Sequence, residues 1–382
     1  CGFCTATCPT YQILGDELDG PRGRIYLIKQ VMEGATPTRQ TQLHLDRCLT
    51  CRNCESTCPS GVEYGHLADI GRKIVEDKVP RGLASRALRW TLKEGLTSPL
   101  FGPAMKLGQL VRPLLPQALK DKVPARQDAG RWPTRQHARK VLMLTGCVQP
   151  AMAPNINSAT ARVLDAAGIQ AIVAGQAGCC GAVKYHLNDQ DGGKAQMRAN
   201  IDAWWPYVER GEVEAIVMNA SGCGVTVREY GHFLQHDVAY ADKARRIGEL
   251  TRDLSELLPD LVAALRGKVR PSDGLLAFHP PCSLQHGQQL RGGVEALMGE
   301  LGFTVRTALA ESHLCCGSAG TYSVLHPELA HELRDRKLGH LGELQPEMII
   351  SANIGCITHL QSGTGTPVKH WVEVLDAALP PS

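Results

Sequence analysis

QAGCCGAVKYH (residues 176–186) and SHLCCGSAGTY (residues 312–322) are two copies of one motif. This repetition is the strongest indication of the fold. Each copy has an adjacent cysteine pair followed by glycine, with a single cysteine before the pair and another after it. Equivalent cysteines lie 135, 136, 136 and 133 residues apart, a constancy that marks an internal duplication. The copies contain Cys147, Cys179, Cys180 and Cys223, and then Cys282, Cys315, Cys316 and Cys356.

The sequence around these cysteines predicts strands that alternate with helices. A short apolar run ends in the first cysteine of each copy, as in KVLMLTGC and LLAFHPPC, and a second buried run precedes the last cysteine. Helical patterns such as NINSATARVLDAAGI lie between the runs. This alternation predicts a parallel sheet in each copy, with the cysteines beyond the carboxyl ends of its strands, where α/β sheets bind ligands. The cysteines form either one site per copy or a site that the copies share.

Adjacent cysteines indicate metal or redox chemistry. Two neighbouring side chains reach one tetrahedral ion only with strain, but they reach different irons of a cluster with ease. Zinc, a vicinal disulfide and simple buried thiols are the alternatives. The flanking glycines permit close backbone approach. Histidines near the motifs are weaker candidates for metal ligation or proton transfer, and they are His186, His279, His286, His313 and His359.

The beginning of the chain holds the remaining cysteines in two runs. RCLTCRNCESTCPSG (residues 47–61) has the C-x2-C-x2-C-x3-C-P spacing of bacterial iron–sulfur proteins, in which the fourth cysteine ligates the other cluster. CGFCTATCPT (residues 1–10) matches the last three cysteines of that spacing. One [4Fe–4S] cluster is therefore expected on Cys8, Cys48, Cys51 and Cys54, and a second on Cys1, Cys4 and Cys58. The second cluster needs a fourth ligand upstream, so the sequence is expected to be a fragment. Zinc is the alternative at both sites.

The segment between the runs predicts a helix rather than the strands of simple ferredoxins. In GPRGRIYLIKQVMEG (residues 20–34), apolar residues recur at helical spacing after a proline. The sequence therefore predicts an all-helical ferredoxin module. Arg22 and Arg24 on this helix are expected to be exposed, either as a docking feature or as a solvated face.

A basic segment separates the module from the two copies. Residues 81–140 contain 13 Lys and Arg against three Asp and Glu, and prolines interrupt their helical pattern. The segment is expected either to lie on anionic lipid or to wrap the other domains. It lacks a nucleic-acid-binding motif, the net charge of the chain is only +3 and aromatic residues make up 5%, so we expect no nucleic-acid partner.

The fold class is therefore α+β and multidomain. We expect a helical ferredoxin module (residues 1–78), a basic bridge (79–140), repeat 1 (141–265) and repeat 2 (266–382). A chain of 382 residues with 43% hydrophobic content has ample material for several cores. Clustered cysteines in a long chain indicate a reducing compartment, hence the cytoplasm. No run of 18 apolar residues predicts a transmembrane helix.

These motifs together resemble the iron–sulfur subunits of flavin-dependent 2-hydroxy-acid dehydrogenases, above all those of the glycolate oxidase (glycolate dehydrogenase) family. The resemblance covers the whole chain and includes MNASGCG as well as the stretches quoted above. It implies an electron-transfer subunit that accepts electrons from an FAD-containing flavoprotein partner and passes them singly toward a membrane quinone. It also implies a cytoplasmic location, peripheral on the inner face of the membrane. No flavin or nicotinamide fingerprint is present, so no catalytic residue is expected in this chain.

Two departures limit what the resemblance implies. The upstream cysteine of the first run is absent, and the related heterodisulfide reductase repeat ends in C-x2-C, where this chain has Ala220 and Asn353. Each repeat thus offers four thiols, which suit a further iron–sulfur cluster or zinc. A thiol–disulfide enzyme of the heterodisulfide reductase type is the alternative function. The equivalent subunit of a lactate or glycerol-3-phosphate dehydrogenase is a second alternative.

Overall fold

Two parallel sheets and a helical N-terminal module make up the framework of the chain. A computed structural model describes residues 1–120 and 123–380, so Asp121 and Lys122 of the basic bridge and the last two residues of repeat 2 lie outside the described part. In the ferredoxin module the helices are α1 (Phe3–Ala6), α2 (Pro9–Leu14), α3 (Pro21–Met32), α4 (Arg39–Asp46), α5 (Asn53–Ser56) and α6 (Tyr64–Lys78). The basic bridge contributes α7 (Leu83–Thr97), α8 (Phe101–Val111) and α9 (Gln117–Lys120).

The predicted helical connector of the module is confirmed as α3, but one of its arginines was placed wrongly. Ile28 and Val31 are buried in a small core against α6, as the apolar spacing predicts. Arg22 is exposed, as expected. Arg24, however, is only 1% exposed, because it points between α2 and α4 and bonds to both.

Each repeat folds into a doubly wound parallel sheet. Repeat 1 has β1 (Arg139–Met143), β2 (Ile169–Ile172), β3 (Ala215–Met218) and β4 (Thr251–Asp253) in the order β2-β1-β3-β4. Repeat 2 has β5 (Leu275–His279), β6 (Thr304–Thr307), β7 (Met348–Ser351) and β8 (Val368–His370) in the equivalent order β6-β5-β7-β8. All strand pairs are parallel, which confirms the predicted α/β duplication.

Helices cover both faces of each sheet. In repeat 1 they are α10 (Gln149–Met152), α11 (Pro154–Ala166), α12 (Ala182–His186), α13 (Gln190–Glu209), α14 (Ser221–Arg228), α15 (Tyr230–Phe233), α16 (Ala241–Leu250) and α17 (Leu258–Leu265). In repeat 2 they are α18 (Gly293–Glu300), α19 (Tyr322–Leu325), α20 (Pro327–Gly342), α21 (Ile354–Gln361) and α22 (Trp371–Ala377), with a π-helical turn at Ser283–Gly287.

The two repeats share a hydrophobic core. Val141 and Val217 on one face of the first sheet pack in the same cluster as Phe278 and Trp371 of repeat 2. Leu142, the neighbour of Val141, enters a separate core on the opposite face, as the alternation of strand side chains requires. Helix α11 of repeat 1 packs on α22 of repeat 2, and α17 of repeat 1 packs on α18 of repeat 2. Each repeat therefore covers the other with the same two helices of its fold. The repeats therefore share one core and pack on each other with approximate two-fold symmetry.

The strand order fixes where the cysteines lie. In both sheets the second strand lies on one side of the first strand, and the third strand lies on its other side. The topological switch point therefore falls between β1 and β3 in repeat 1, and between β5 and β7 in repeat 2. Loops beyond the carboxyl ends of strands at such a point enclose a crevice that binds ligands. Cys147 and Cys223 follow β1 and β3, and Cys282 and Cys356 follow β5 and β7.

The glycine after each cysteine pair is required by the backbone. Gly181 and Gly317 have φ of +95° and +88°, in the left-handed region. A Cβ atom at Gly181 would also lie 2.8 Å from the Gly193 carbonyl oxygen, and one at Gly317 would lie 2.4 Å from that of Ala330. Only glycine satisfies both conditions, so it lets the cysteine loop pack closely on α13 or α20.

Candidate iron–sulfur centres

Four cysteines of the ferredoxin module surround one pocket. Cys8, Cys48, Cys51 and Cys54 line a pocket with an empty volume of about 320 Å³. Cys8 precedes α2, Cys54 lies in α5, and the other two lie in the loop between α4 and α5. The structure thus brings together the four residues that the interleaved spacing predicts for one cluster, including one from the other run.

The loop that carries Cys48 and Cys51 has an unusual backbone. Thr50 and Arg52 have positive φ angles of 52° and 60°, which non-glycine residues rarely adopt. The Thr50 amide donates a hydrogen bond to Cys48 Sγ at 3.3 Å. These two left-handed residues on either side of Cys51 curve the loop around the pocket. Backbone strain of this kind is characteristic of functional sites.

Two buried arginines supply positive charge beside this pocket. Arg24 Nη1 lies 4.0 Å from Cys8 Sγ, and its Nε donates to the His44 carbonyl at 2.7 Å. Arg72 donates to the Cys48 carbonyl at 2.5 Å and to Thr50 Oγ1 at 2.8 Å. Burial of the Cys48 thiol opposes ionisation, but Arg24 and Arg72 outweigh it and lower its pKa. The sequence offered no signal for this role, because Arg24 falls within an apparently amphipathic helix.

The other thiols of the pocket repel one another as thiolates. Burial raises the pKa of Cys51, and the charges of Cys282 and Cys54 raise it further. Burial also raises the pKa of Cys54, with Cys48 and Cys8 adding to the effect. Four sulfur atoms in one low-dielectric pocket cannot all ionise without a compensating cation, so the pocket fits an iron–sulfur cluster.

The second N-terminal group is more open. Cys1 lies two residues before α1, and Cys4 lies within it. Helix α1 packs against α5, and Cys58 follows α5 by two residues. Cys1 is exposed, whereas Cys4 and Cys58 are half-buried. Backbone amides of Val62 and Ser60 lower the pKa of Cys58, which favours its thiolate. The packing of α1 on α5 therefore brings the two segments of this group to one side of the module.

In repeat 1 the four predicted thiols form a continuous series. Hydrogen bonds from Cys147 and Cys180 lower the pKa of Cys179. The pKa values of Cys147 and Cys180 are raised in turn by their contact with Cys179, and Cys180 also contacts Cys223. The strand-end cysteines and the adjacent pair of repeat 1 therefore meet at one site, which is one of the two arrangements that the sequence left open.

Repeat 2 builds the equivalent series with an additional donor. Cys282 Sγ lies 3.8 Å from Cys315 Sγ. The pKa of Cys316 is raised by its contact with Cys356 and by burial, against the hydrogen bond from Cys315 that lowers it. The sulfur atoms of Cys316 and Cys356 and a ring nitrogen of His279 all lie within 4.8 Å of one another.

A buried cation accompanies the thiols of repeat 2. Lys337 on α20 is 3% exposed and donates to the Glu311 carbonyl. Burial lowers the pKa of Lys337, while the nearby sulfur atoms of Cys316 and Cys315 oppose that shift. A lysine in this position offsets part of the negative charge that thiolates or a cluster would carry.

The other histidines named from the sequence serve contacts between domains or within the core. His186 Nδ1 lies 3.3 Å from Asp69 Oδ1, and His286 Nδ1 lies 2.8 Å from Ser56 Oγ. The His313 carbonyl accepts from Asn53 Nδ2 at 3.2 Å, and His359 Nε2 lies 3.0 Å from the Ala330 carbonyl. Among the described residues, His279 is the histidine that joins cysteine sulfurs in a group with metal-ligand distances.

The ferredoxin module docks directly on the thiols of repeat 2. Cys51 and Cys282 pack in one cluster with Leu49, Cys315 and Tyr322. The Tyr322 hydroxyl donates to the Arg47 carbonyl at 3.1 Å across the same interface. The pocket of the first cluster and the site of repeat 2 are therefore in contact through Cys51.

An ion pair fixes the module to repeat 1. Arg52 forms a bidentate pair with Glu229, in which the Nη2 to Oε2 distance is 2.7 Å. Burial alone would raise the pKa of Glu229, but hydrogen bonds from His66 and Arg52 lower it to about 2. His66 stacks on His232 with ring centroids 3.7 Å apart. Because Arg52 follows Cys51, this pair anchors the loop that carries Cys48 and Cys51.

Comparisons with known proteins agree with these sites. A 4Fe-4S dicluster domain model matches residues 1–63, and a cysteine-rich domain model matches residues 141–228 and 276–361. The glycolate oxidase iron-sulfur subunit of Escherichia coli (strain K12) is 57% identical over 99% of this chain and 93% of its own length. A probable glycolate oxidase iron-sulfur subunit of Bacillus subtilis (strain 168) is 28% identical over 95% of this chain and 87% of its own length.

A more distant relative shares only part of the architecture. Lactate utilization protein A of Bacillus subtilis (strain 168) is 25% identical over 62% of this chain and 99% of its own length. The near full-length match at 57% identity, together with both domain models, confirms the resemblance drawn from the cysteine spacing. The chain belongs to the family of glycolate oxidase iron–sulfur subunits, and its N-terminal region is a 4Fe–4S dicluster domain followed by two cysteine-rich repeats.

Proposed function

We propose that this chain is the electron-transfer subunit of a membrane-associated glycolate dehydrogenase complex. It would receive electrons from a flavoprotein that oxidises glycolate to glyoxylate and pass them toward quinone. Cys8, Cys48, Cys51 and Cys54 hold one [4Fe–4S] cluster, and Cys1, Cys4 and Cys58 with one further ligand hold the other. When bound, the clusters accept and release one electron at a time, which matches the stepwise reoxidation of a flavin.

The packing of Cys51 and Cys282 against one buried cluster that includes Cys315 is the observation that carries this proposal. The N-terminal pocket and the site of repeat 2 are therefore neighbours. An enzyme that performed thiol–disulfide chemistry at the repeats would need a substrate to reach the cysteine pairs. Cys315 and Cys316 are instead 2% and 1% exposed, which favours electron transfer through a closed interior.

The protein charges around the thiols suit this role. Arg24 and Arg72 lie at the N-terminal pocket, and Lys337 lies at repeat 2. Each positive group stabilises added negative charge and so favours the reduced form of a nearby cluster. Hydrogen bonds and charge near the sulfurs are the usual means by which a protein sets cluster potentials.

The names of the relatives support the proposed partner and substrate. Two relatives carry glycolate oxidase in their names, and the 57% match exceeds the 25% match to a lactate utilization protein. Glycolate is therefore preferred over lactate or glycerol-3-phosphate. The chain lacks a flavin-binding fingerprint, so we place the FAD chemistry on a partner subunit.

The function is tested by removing this chain from the complex. We expect the tagged chain to co-purify with a flavoprotein and the complex to reduce a quinone analogue with glycolate in preference to lactate or glycerol-3-phosphate. Deletion of this chain should abolish quinone reduction while glycolate still bleaches the partner flavin anaerobically. Unchanged quinone reduction after the deletion, with no flavoprotein bound to the chain, would refute the proposal.

We further propose that the basic bridge rests on the inner face of the membrane. Along α8 and the turn after it, Leu107, Leu110 and Leu114 share one helical face and are between 63% and 86% exposed. The nearby Lys106 is also exposed. Exposed leucines beside a cation are typical of a helix at a lipid interface. None of the helices in the described part of the chain has the length and apolar character needed to cross a bilayer.

Other cations of the bridge bind neighbouring domains, as the second interpretation of its sequence proposed. Arg81 and Arg89 pair with Asp46 of the ferredoxin module. Lys93 lies 3.0 Å from Asp189 of repeat 1. These contacts hold α7 against the protein, while the leucine face of α8 points away from it.

Vesicle binding tests the membrane face. The triple change Leu107→Ser, Leu110→Ser and Leu114→Ser removes apolar area worth several kcal/mol if fully inserted, so we expect at least about tenfold weaker binding to phosphatidylglycerol vesicles. Leu309→Ser, at a 99% exposed position in repeat 2, is the matched control and should bind as the parent does. Equal binding by the triple variant and the parent would contradict the proposal.

A further inference from the structure

His279 has no hydrogen-bond partner although it is deeply buried. It is the last residue of β5 and is 1% exposed, and neither Nδ1 nor Nε2 meets a donor or acceptor. Buried polar side chains in native proteins almost always have a partner. An imidazole with both nitrogens unmet in a protein interior therefore indicates a missing partner.

The surroundings of His279 identify the kind of partner. One ring nitrogen lies within 4.8 Å of both Cys316 Sγ and Cys356 Sγ. Asn353 Nδ2 lies 3.7 Å from Cys356 Sγ. Imidazole nitrogen and thiolate sulfur are ligands that zinc and the irons of iron–sulfur clusters share.

Repeat 1 lacks this donor. The 135-residue offset between Cys147 and Cys282 makes Leu144 the equivalent of His279. Leu144 is 3% exposed and packs in the apolar core of repeat 1 with Cys180. The duplicated sites therefore differ at this position, where repeat 1 presents a hydrocarbon and repeat 2 an imidazole.

The number of donors favours a cluster over a single ion. Cys282 and Cys315 continue the series from Cys316, with a sulfur–sulfur distance of 3.8 Å between the first two. Together with His279 and Cys356 they give five donors, and a tetrahedral ion takes four. The adjacent pair Cys315 and Cys316 also serves two irons more easily than one ion.

We propose that His279 is a nitrogen ligand to an iron of an iron–sulfur centre in repeat 2, beside Cys316 and Cys356, whereas the centre of repeat 1 is ligated by thiolates alone. Imidazole is neutral and thiolate is anionic, so the repeat 2 centre carries less negative charge. Replacing thiolate by histidine raises the potential of an iron–sulfur centre. Repeat 2, which contacts Cys51, is therefore the better electron acceptor of the two repeats.

Pulsed electron paramagnetic resonance on the anaerobically purified complex tests this assignment. Protein labelled with 15N-histidine should show a strong nitrogen coupling that changes with the label. His279→Cys should keep its iron, lose that coupling and shift the midpoint potential of one centre downward. His279→Leu, which copies repeat 1, should lose the coupling and lower the iron content of the chain.

His286→Gln is the matched control, because His286 lies in the same repeat but contacts Ser56 and the His313 carbonyl. It should keep the coupling and the potential of the parent. A histidine coupling that persists in His279→Cys would overturn the proposal, as would zinc in place of iron at repeat 2. None of these readouts depends on glycolate, so they stand apart from the test of function.

Discussion

Replacing Cys54 with serine should remove the cluster at Cys8, Cys48, Cys51 and Cys54 and with it about four irons. The rate of electron transfer from glycolate to quinone should fall by more than about 100-fold. Substitutions of residues that only support the metal ligands already lower metal affinity or activity by about 10–100-fold, and Cys54 is itself an expected ligand. The effect is large because Cys54 is buried in the pocket that contacts repeat 2 through Cys51. Iron analysis, electron paramagnetic resonance and the quinone assay measure the three consequences.

Cys58→Ser is the matched change for this experiment. Cys58 belongs to the same sequence run but lies outside the pocket, among residues that are half-buried or exposed. We expect Cys58→Ser to spare the cluster that Cys54→Ser removes and to disturb the other one. If both variants lost the same spectroscopic signal, the interleaved ligation would be wrong.

Replacing Arg24 with methionine should destabilise the ferredoxin module by about 3–5 kcal/mol, the usual cost of breaking a buried ion pair. Asp19 is fully buried, and Arg24 lies 3.5 Å from it while also bonding to Thr10 Oγ1 and the His44 carbonyl. Arg47, at 2.8 Å from Asp19, keeps part of the compensation, so the lower half of the range is expected. Denaturation of the anaerobic protein, followed by cluster absorbance and circular dichroism, measures the loss.

Arg22→Met provides the control for this change. Arg22 lies on the same helix, but its side chain is 61% exposed and makes one loose pair with Glu17. Substitutions at such surface positions usually change stability by less than about 0.5 kcal/mol. The double change Asp19→Asn with Arg24→Met should recover part of the loss, because it removes the uncompensated carboxylate. Equal unfolding midpoints for the two methionine variants would show that Arg24 is not a buried partner.

Local patterns in the sequence predicted much of the fold. The constant offset of the cysteine sets predicted the duplication, and the short apolar runs before the single cysteines predicted the central strands β1, β3, β5 and β7, but not the outer strands. The cysteine spacing also predicted that Cys8 would join Cys48, Cys51 and Cys54 around one pocket. These predictions succeed because strand periodicity and ligand spacing are properties of contiguous residues.

Features that depend on contacts between distant segments could not be predicted in this way. In the sequence, Arg24 is one of several charged residues on an amphipathic helix. It is buried only because α2 and α4 pack over α3. Cys51 and Cys282 are 231 positions apart in the sequence, and their packing against one cluster depends on how the module docks. His279 was one of five histidine candidates, and the meeting of β5 with the loop of Cys316 and the start of α21 distinguishes it from the others.

Anaerobic quantification of iron, sulfide and zinc, combined with electron paramagnetic resonance of the reduced complex, shows which metals the ferredoxin module and the repeats hold. We expect about eight irons in the ferredoxin module and further iron in the repeats. We also expect magnetic interaction between the cluster at Cys51 and the centre of repeat 2, because Cys51 and Cys282 pack against one buried cluster. Zinc without iron in the repeats, together with isolated, non-interacting signals from the N-terminal clusters, would contradict electron transfer through this chain.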